Sequence, residues 1–380
     1  MSAHVSSGLD GVIAAETRIS GVDGEAGELI IAGYPLAEIA GRASFEEITY
    51  LLLYDSLPIA SVLTDFSSRI ASRRTLPPPI FDLLASAAKS QVAPMDALLM
   101  AAATLSLDNR SSCPNDDEAI QDSLIAALPT IVAAYYRLLQ GKAPITPLPE
   151  LSHAANYLAM ITGEDPSEPA VRAMNTYLCT VADHGLNAST FTARVIISTR
   201  SDMISAIVGA IGALKGPLHG GAPGPVLDML NEIGTEERAE NWIRSAICDG
   251  RRLMGFGHRI YKVRDPRADV LAAAASQLYS ADADRKFYSL AMHVEKTALR
   301  LLEELKPGRR LHTNVEFYTA LLLHGIGLPS VLFAPTFAIG RVAGWIAHCR
   351  EQQKLDRLIR PQSVYVGAHD RQWTPVELRA

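Results

Sequence analysis

The chain has 380 residues, 48% apolar and 20% charged, with a formal net charge of −6. That length implies one very large domain or two. The apolar share excludes a disordered chain, and the acidic balance excludes the basic footprint of a nucleic-acid binder.

Aromatics make up only 6%, while Ala, Leu and Ile abound, which favours helices over a β-sandwich. Met1 to Asp10 contains no basic stretch leading into an apolar one. No export signal is therefore expected, and the protein is expected to be cytoplasmic. Gly8-Leu9-Asp10-Gly11 opens an extended segment through Val12 and Ile13, and Leu29-Ile30-Ile31 reads as a short strand before Gly33-Tyr34-Pro35. These are the only strand signals, so the expected fold class is mainly α, with a small N-terminal β element.

Ser44 caps a helix with Glu47 as its capping-box partner, and that helix ends near Leu57-Pro58. Pro77-Pro78-Pro79 reads as a rigid connector. Residues 123–140 form an apolar helix stopped by Gly141, followed by a Pro-rich loop to Pro149. Ser167-Glu168-Pro169 opens a helix that runs to about His184. Residues 201–214 are apolar on every face, which suits a large core or an interface. From about 224 the texture becomes charged and amphipathic, with helices beginning at Thr235 and covering 268–280 and 286–305. Apolar character returns after Glu316, so a smaller lobe near 220–320 is expected.

Phe317 to Gly340 carries no charged residue and is long enough to span a bilayer. Gly325, Gly327, Pro329 and Pro335 break it, so two buried helices joined by a turn are expected. The four cysteines, Cys113, Cys179, Cys248 and Cys349, match no zinc or disulfide spacing and read as buried thiols.

Chemistry concentrates in a few polar segments. Asp183-His184-Gly185-Leu186-Asn187-Ala188-Ser189-Thr190 lies between two helices. It could present His184, Asn187 and Ser189 to a cleft, or simply cap the next helix. In Lys215-Gly216-Pro217-Leu218-His219-Gly220-Gly221-Ala222-Pro223, His219 precedes a helix whose N-terminus would keep the imidazole neutral, fit to donate to an oxyanion. Met254-Gly255-Phe256-Gly257-His258 continues through Arg259, Lys262, Arg264 and Arg267, a set suited to carboxylates or phosphates. It is neither a dinucleotide fingerprint nor a Walker loop. Glu316, in Asn314-Val315-Glu316-Phe317-Tyr318, opens the uncharged run, where a half-buried carboxylate can act as a base.

Together with Gly8-Leu9-Asp10-Gly11-Val12 and Glu16-Thr17, these motifs resemble the citrate synthase family, in its short dimeric bacterial and archaeal form, from about Gly8 to Gly367. The resemblance implies a large helical domain of residues 1–219 and 321–380, a small one of residues 220–320, and a cleft that closes on oxaloacetate. It implies Glu316 as the base that removes a methyl proton from acetyl-CoA, His219 as the group that stabilises the enol, and His258 as the donor to the oxaloacetate carbonyl. His184, Asn187, Arg267 and Arg341 would hold oxaloacetate, Arg360 would reach the neighbouring site of a homodimer, and Ser189 would orient His219. Gly255, Phe256 and Gly257 would seat CoA, with Lys262 and Arg264 near its phosphates. No metal or other cofactor is implied, since acetyl-CoA is a substrate.

Many family members have Asp where this chain has Glu316. The same fold also serves 2-methylcitrate synthase, which uses propionyl-CoA and differs by one methyl group in a pocket. A non-catalytic sensor of acyl-CoA or dicarboxylate is a further alternative, opposed by the intact set of His219, His258, Glu316 and the arginines. The family's NADH-regulated hexamers usually carry a longer N-terminal region.

Overall fold

The computed structural model describes residues 7–9, 11–107, 117–220, 223–281 and 284–379. Met1–Ser6, Asp10, Cys113, Gly221 and Ala222, on which some of the expectations above fall, lie outside the described residues.

The β element is one antiparallel sheet of three strands, β1 (Ser20–Asp23), β2 (Glu28–Ile31) and β3 (Tyr34–Pro35), in the order β1-β2-β3. Ser20 lies opposite Ile31, and Ile31 opposite Tyr34. Leu29 and Ile31 point into the core while Glu28 and Ile30 face outwards, the period of two that a half-buried strand requires. The expected extended segment at Val12 and Ile13 is not a strand. Both residues are exposed and no neighbouring strand takes their backbone groups.

Sixteen α-helices follow among the described residues: α1 (Leu36–Ile39), α2 (Phe45–Tyr54), α3 (Ala60–Ser72), α4 (Pro78–Lys89), α5 (Pro94–Thr104), α6 (Asp117–Leu139), α7 (His153–Thr162), α8 (Glu168–Val181), α9 (Ala188–Ile197), α10 (Met203–Leu214), α11 (Pro223–Ile233), α12 (Glu236–Cys248), α13 (Pro266–Ala281), α14 (Arg285–Leu305), α15 (Val315–Gly325) and α16 (Phe333–Leu355). Their ends follow side-chain chemistry. Ser44 and Glu47 form the expected capping box of α2. That helix ends at Asp55, whose left-handed φ of 59° stops it before Leu57-Pro58. Pro78 and Pro79 are not a connector. They fill the first turn of α4, where a missing N–H costs nothing. Ser152 caps α7, which was not foreseen behind the Pro-rich loop.

The uncharged run divides as expected into α15, a turn through Gly327 and Pro329, and α16. By length and composition alone, α6 and the segment Ser330–Leu355 could cross a membrane. Their apolar windows are 72% and 78% buried, as core helices are. α16 is the central rod: it packs on α6, α8, α9, α10 and α2, and Trp345 at its middle is fully buried. α12 packs on α14 and α11, while α13 reaches across to α8 and α15. Cys179 and Cys349 are buried free thiols as expected, whereas Cys248, the last residue of the solvated helix α12, is exposed.

Candidate active site

The site is assembled where the loop before α13 meets the loop before α15. Phe256 and Thr313 form an antiparallel bridge, Gly257 N–H donates to the His312 carbonyl (2.7 Å), and Asn314 N–H donates to the Gly255 carbonyl (2.9 Å). Gly255 is required by this contact. Its φ is +85°, and a Cβ there would stand 2.9 Å from Phe317 Cβ. Asn314 then caps α15 by accepting from Glu316 N–H (3.0 Å), which fixes Glu316 at the first turn. Burial raises the Glu316 carboxyl above its ordinary value, and this outweighs the opposing charges of Arg252 and Arg267. Its Oε2 is buried without a hydrogen-bond partner.

Across from it, Asp265 grips Arg267 twice, Nε to Oδ1 (3.0 Å) and Nη2 to Oδ2 (2.8 Å), with both residues buried. Asp265 also accepts from Val315 N–H (3.2 Å), so one carboxylate ties the arginine to the start of α15. Burial raises the Asp265 pKa, but the charge and hydrogen bonds of Arg267 prevail and hold it below the usual range. His258 Nδ1 accepts from Ile260 N–H (3.1 Å) and Tyr261 N–H (3.2 Å). The other ring nitrogen, Nε2, lies 3.3 Å from Arg267 Nη2, so both nitrogens of His258 face N–H donors. Burial, then the Arg267 charge, lowers His258 to about 4, so it is neutral at pH 7. His184 Nε2 hydrogen-bonds Tyr261 Oη (3.1 Å), and its ring lies edge-on to His258 at 5.8 Å between centroids. Burial first, then Arg267 and Arg341, lowers His184 well below its ordinary value.

The third group surrounds His219. Its Nε2 lies 2.8 Å from Ser189 Oγ, which also accepts from the Trp345 indole N–H (3.1 Å). Burial, followed by the charge of Arg341, lowers His219 to about 4. Neutrality was expected from a helix N-terminus; its leading cause is desolvation. Arg341 is fully buried. Its Nε donates to the Val181 carbonyl (2.5 Å), while Nη2 has no partner. Burial lowers even this guanidinium to about 10. Asn187, expected to face the substrate, is occupied locally. Its Oδ1 caps α9 by accepting from Ser189 N–H and Thr190 N–H (both 3.1 Å), and its Nδ2 donates to the Gly185 carbonyl (3.3 Å).

Beneath His184, Asp183 is buried and accepts from Ser20 Oγ and Gly185 N–H. His348 completes this set. Arg194 Nη1 donates to His348 Nδ1 (3.1 Å), so Nε2 carries the proton and faces Asp183. His348 lay in view in the sequence without an assigned part. Tyr261 and Asp265 stood inside a quoted motif, and the sequence reading gave neither a role. The signal for Asp265 was its place two residues before Arg267, ahead of a proline that starts α13.

A cleft of about 570 Å³ opens beside this group, lined by Phe256, Gly257, His258 and the cations Arg251, Arg252, Arg259, Lys306 and Arg309. Lys262 and Arg264, expected at phosphates, do not line it. Arg264 is paired with Glu295 (2.7 Å) and Asp269 (2.5 Å), and Lys262 Nζ donates to the Arg259 carbonyl (3.2 Å). Gly255 is also absent from the lining. Arg360 is exposed, beyond the end of α16.

A sequence model described as "Citrate synthase, C-terminal domain" matches residues 8–362. A citrate synthase of Haloferax volcanii is 39% identical, covering 100% of both chains. The solved citrate synthase of Pyrobaculum aerophilum superposes with a TM-score of 0.90 at 36% identity, covering 99% of this chain and 95% of the other. That of Thermoplasma acidophilum, solved with carboxymethyl coenzyme A and oxaloacetate, gives 0.89 at 31% identity, covering 99% and 100%.

Proposed function

The chain belongs to the citrate synthase family, and from that premise we propose that His219, His258 and Glu316 carry its chemistry. The protein is an acyltransferase that condenses acetyl-CoA with oxaloacetate and water to give citrate and free CoA. The roles fit the protonation states. Glu316, half-buried and with an unpartnered oxygen, removes a methyl proton from acetyl-CoA. His219, neutral, donates a hydrogen bond to the thioester oxygen as negative charge builds there, a contribution of about 3–4 kcal/mol for one pre-placed donor. The enol carbon attacks the oxaloacetate carbonyl carbon, whose oxygen takes a proton from His258. Water then cleaves the citryl thioester, releasing CoA and citrate.

Arg267 and Arg341, with His184, hold the two carboxylates of oxaloacetate. The orphaned Nη2 of Arg341 supports this, because a buried guanidinium N–H without a partner is costly unless a ligand takes it. The cationic cleft takes the phosphates of CoA through Arg251, Arg252, Arg259, Lys306 and Arg309 in place of Lys262 and Arg264. Residues 220–320 act as a small domain that closes on 1–219 and 321–380. Two copies form a cytoplasmic homodimer in which Arg360 completes the neighbouring site.

The observation that carries this reading is a half-buried carboxylate raised in pKa at the start of α15, which Asp265 and Arg267 tie to an imidazole lowered to about 4. The test is Glu316→Gln, which should lower kcat for release of free CoA by about 10²–10⁴-fold. Near-normal turnover would sink the assignment. In the wild type, acetyl-CoA should be turned over faster than propionyl-CoA.

A further inference from the structure

We propose that Glu295 is a positioning residue for the reaction: one buried carboxylate on α14 clamps together the loops that carry Arg267 and Glu316. The inference rests on the roles proposed for those two residues. Three donors converge on Glu295. Arg264 Nη1 (2.7 Å) and Thr313 Oγ1 (2.7 Å) donate to its Oε1, and Tyr318 Oη (2.6 Å) donates to its Oε2. Glu295, Thr313 and Tyr318 are all buried. A buried carboxylate is tolerated only when donors surround it, so its three partners are held as firmly as it is.

Each loop partner stands one residue before a group that builds the site. Arg264 precedes Asp265, which grips Arg267 through two hydrogen bonds and accepts from Val315 N–H. Thr313 precedes Asn314, whose Oδ1 accepts from Glu316 N–H (3.0 Å) and whose Nδ2 donates to the Gly257 carbonyl (2.8 Å). The carboxylate therefore reaches Arg267 through Arg264 and Asp265, and Glu316 through Thr313 and Asn314. Arg264 and Thr313 are far apart along the chain, and Glu295 touches both.

This also gives Arg264 a part other than the phosphate contact expected of it. Its guanidinium pairs with Asp269 as well as Glu295 and lies 5.5 Å from the centre of the Tyr318 ring, outside the lining of the cationic cleft. Glu295 acts on the chemistry through these neighbours alone.

The two arms predict separable effects on kcat and KM, read per folded subunit. Thr313→Val keeps the shape of the side chain and removes the hydroxyl donor. It should lower kcat by about tenfold to a hundredfold, since a shift of about 1 Å suffices for that loss, and leave the KM for oxaloacetate unchanged. Thr313→Ser restores the donor and should return kcat to the wild-type value. Glu295→Ala removes the acceptor from both arms, while Asp269 still pairs with Arg264. It should lower kcat as Thr313→Val does and raise the KM for oxaloacetate by about tenfold. In a Thr313→Val background, Glu295→Ala should raise KM and lower kcat no further; a full additive loss in kcat overturns the proposal. Wild-type kcat and KM with only a lower urea midpoint would make Glu295 a stabilising residue and overturn it too. If Glu295→Ala fails to fold, the Thr313 pair decides: wild-type kcat in Thr313→Val, or no recovery in Thr313→Ser, refutes the clamp. The reading of Glu316 fails separately, through normal turnover of Glu316→Gln, which leaves the KM effect of Glu295→Ala in place.

Discussion

Glu316 sets the acid limit of the reaction. Its carboxyl is raised above the ordinary glutamate value of about 4.3, while His219 and His258 take up the second proton that charges them only near pH 4. Activity requires Glu316 without its proton, so acidification should remove activity above pH 4.3, before either imidazole charges. The log of kcat against pH should show a one-proton slope there; a two-proton slope centred near 4 would assign the limb to the histidines. Asp265 makes the same point for binding. Asp265→Asn leaves Arg267 buried without its counter-charge, which should cost about 3–5 kcal/mol in urea unfolding and raise the KM for oxaloacetate. At this scale the sequence was legible where chemistry is local. His184, His219, His258 and Glu316 stand in dense polar segments, and each lies at the cleft or beside a buried arginine. Asn187 shows the opposite case, since its type suited both a ligand and a cap, and only the distances decide for the cap. Trp345 lies far along the chain from Ser189 and His219, and no spacing rule connects the three.

Among the elements, caps and glycine stops were readable because they act within one turn: Ser44 with Glu47, Ser167, and Gly141 after α6. α7 was missed because its signal, Ser152, follows closely on a segment dominated by prolines. The strand β1 was missed because Gly21 and Asp23 dilute its pattern, which the pairing with β2 overrides. The turn of that hairpin has a consequence for the site. Lys262 N–H donates to the Gly24 carbonyl (2.9 Å), and a Cβ on Gly24 would fall 2.3 Å from the carbonyl oxygen of Ile260. Ile260 N–H is one of the two donors that hold His258. Gly24→Ala should therefore push the 258–262 loop outwards and displace His258. A displacement of about 1 Å predicts a fall in kcat/KM of about 100-fold, with a stability loss of only about 1–3 kcal/mol. Unchanged kcat/KM would show that the hairpin does not hold the loop.

For the whole molecule, the helical class and the change of texture near 220 and 320 were readable from composition, because a solvated helix and a core helix differ in every turn. The packing of α13 on α8 and α15 was not, since helix contacts depend on which faces meet. The proposed dimer can be tested by complementation. Arg360→Ala and Glu316→Gln should each disable the protein alone. Refolded together, random pairing gives heterodimers with one intact site, and about a quarter of wild-type activity should return. No recovery would mean that Arg360 serves its own subunit or none.

The thiols carry a practical consequence. Burial raises Cys349 to about 12 and raises Cys179 as well, so neither offers a thiolate to an alkylating reagent. Cys248 is exposed at the end of α12, between Ile247 and Gly250, which both line the cationic cleft. Among the described cysteines it is the natural attachment point for a maleimide dye. A fluorophore fixed there would stand at the rim of the cleft and report in real time on an acyl-CoA arriving or departing, without any engineered residue.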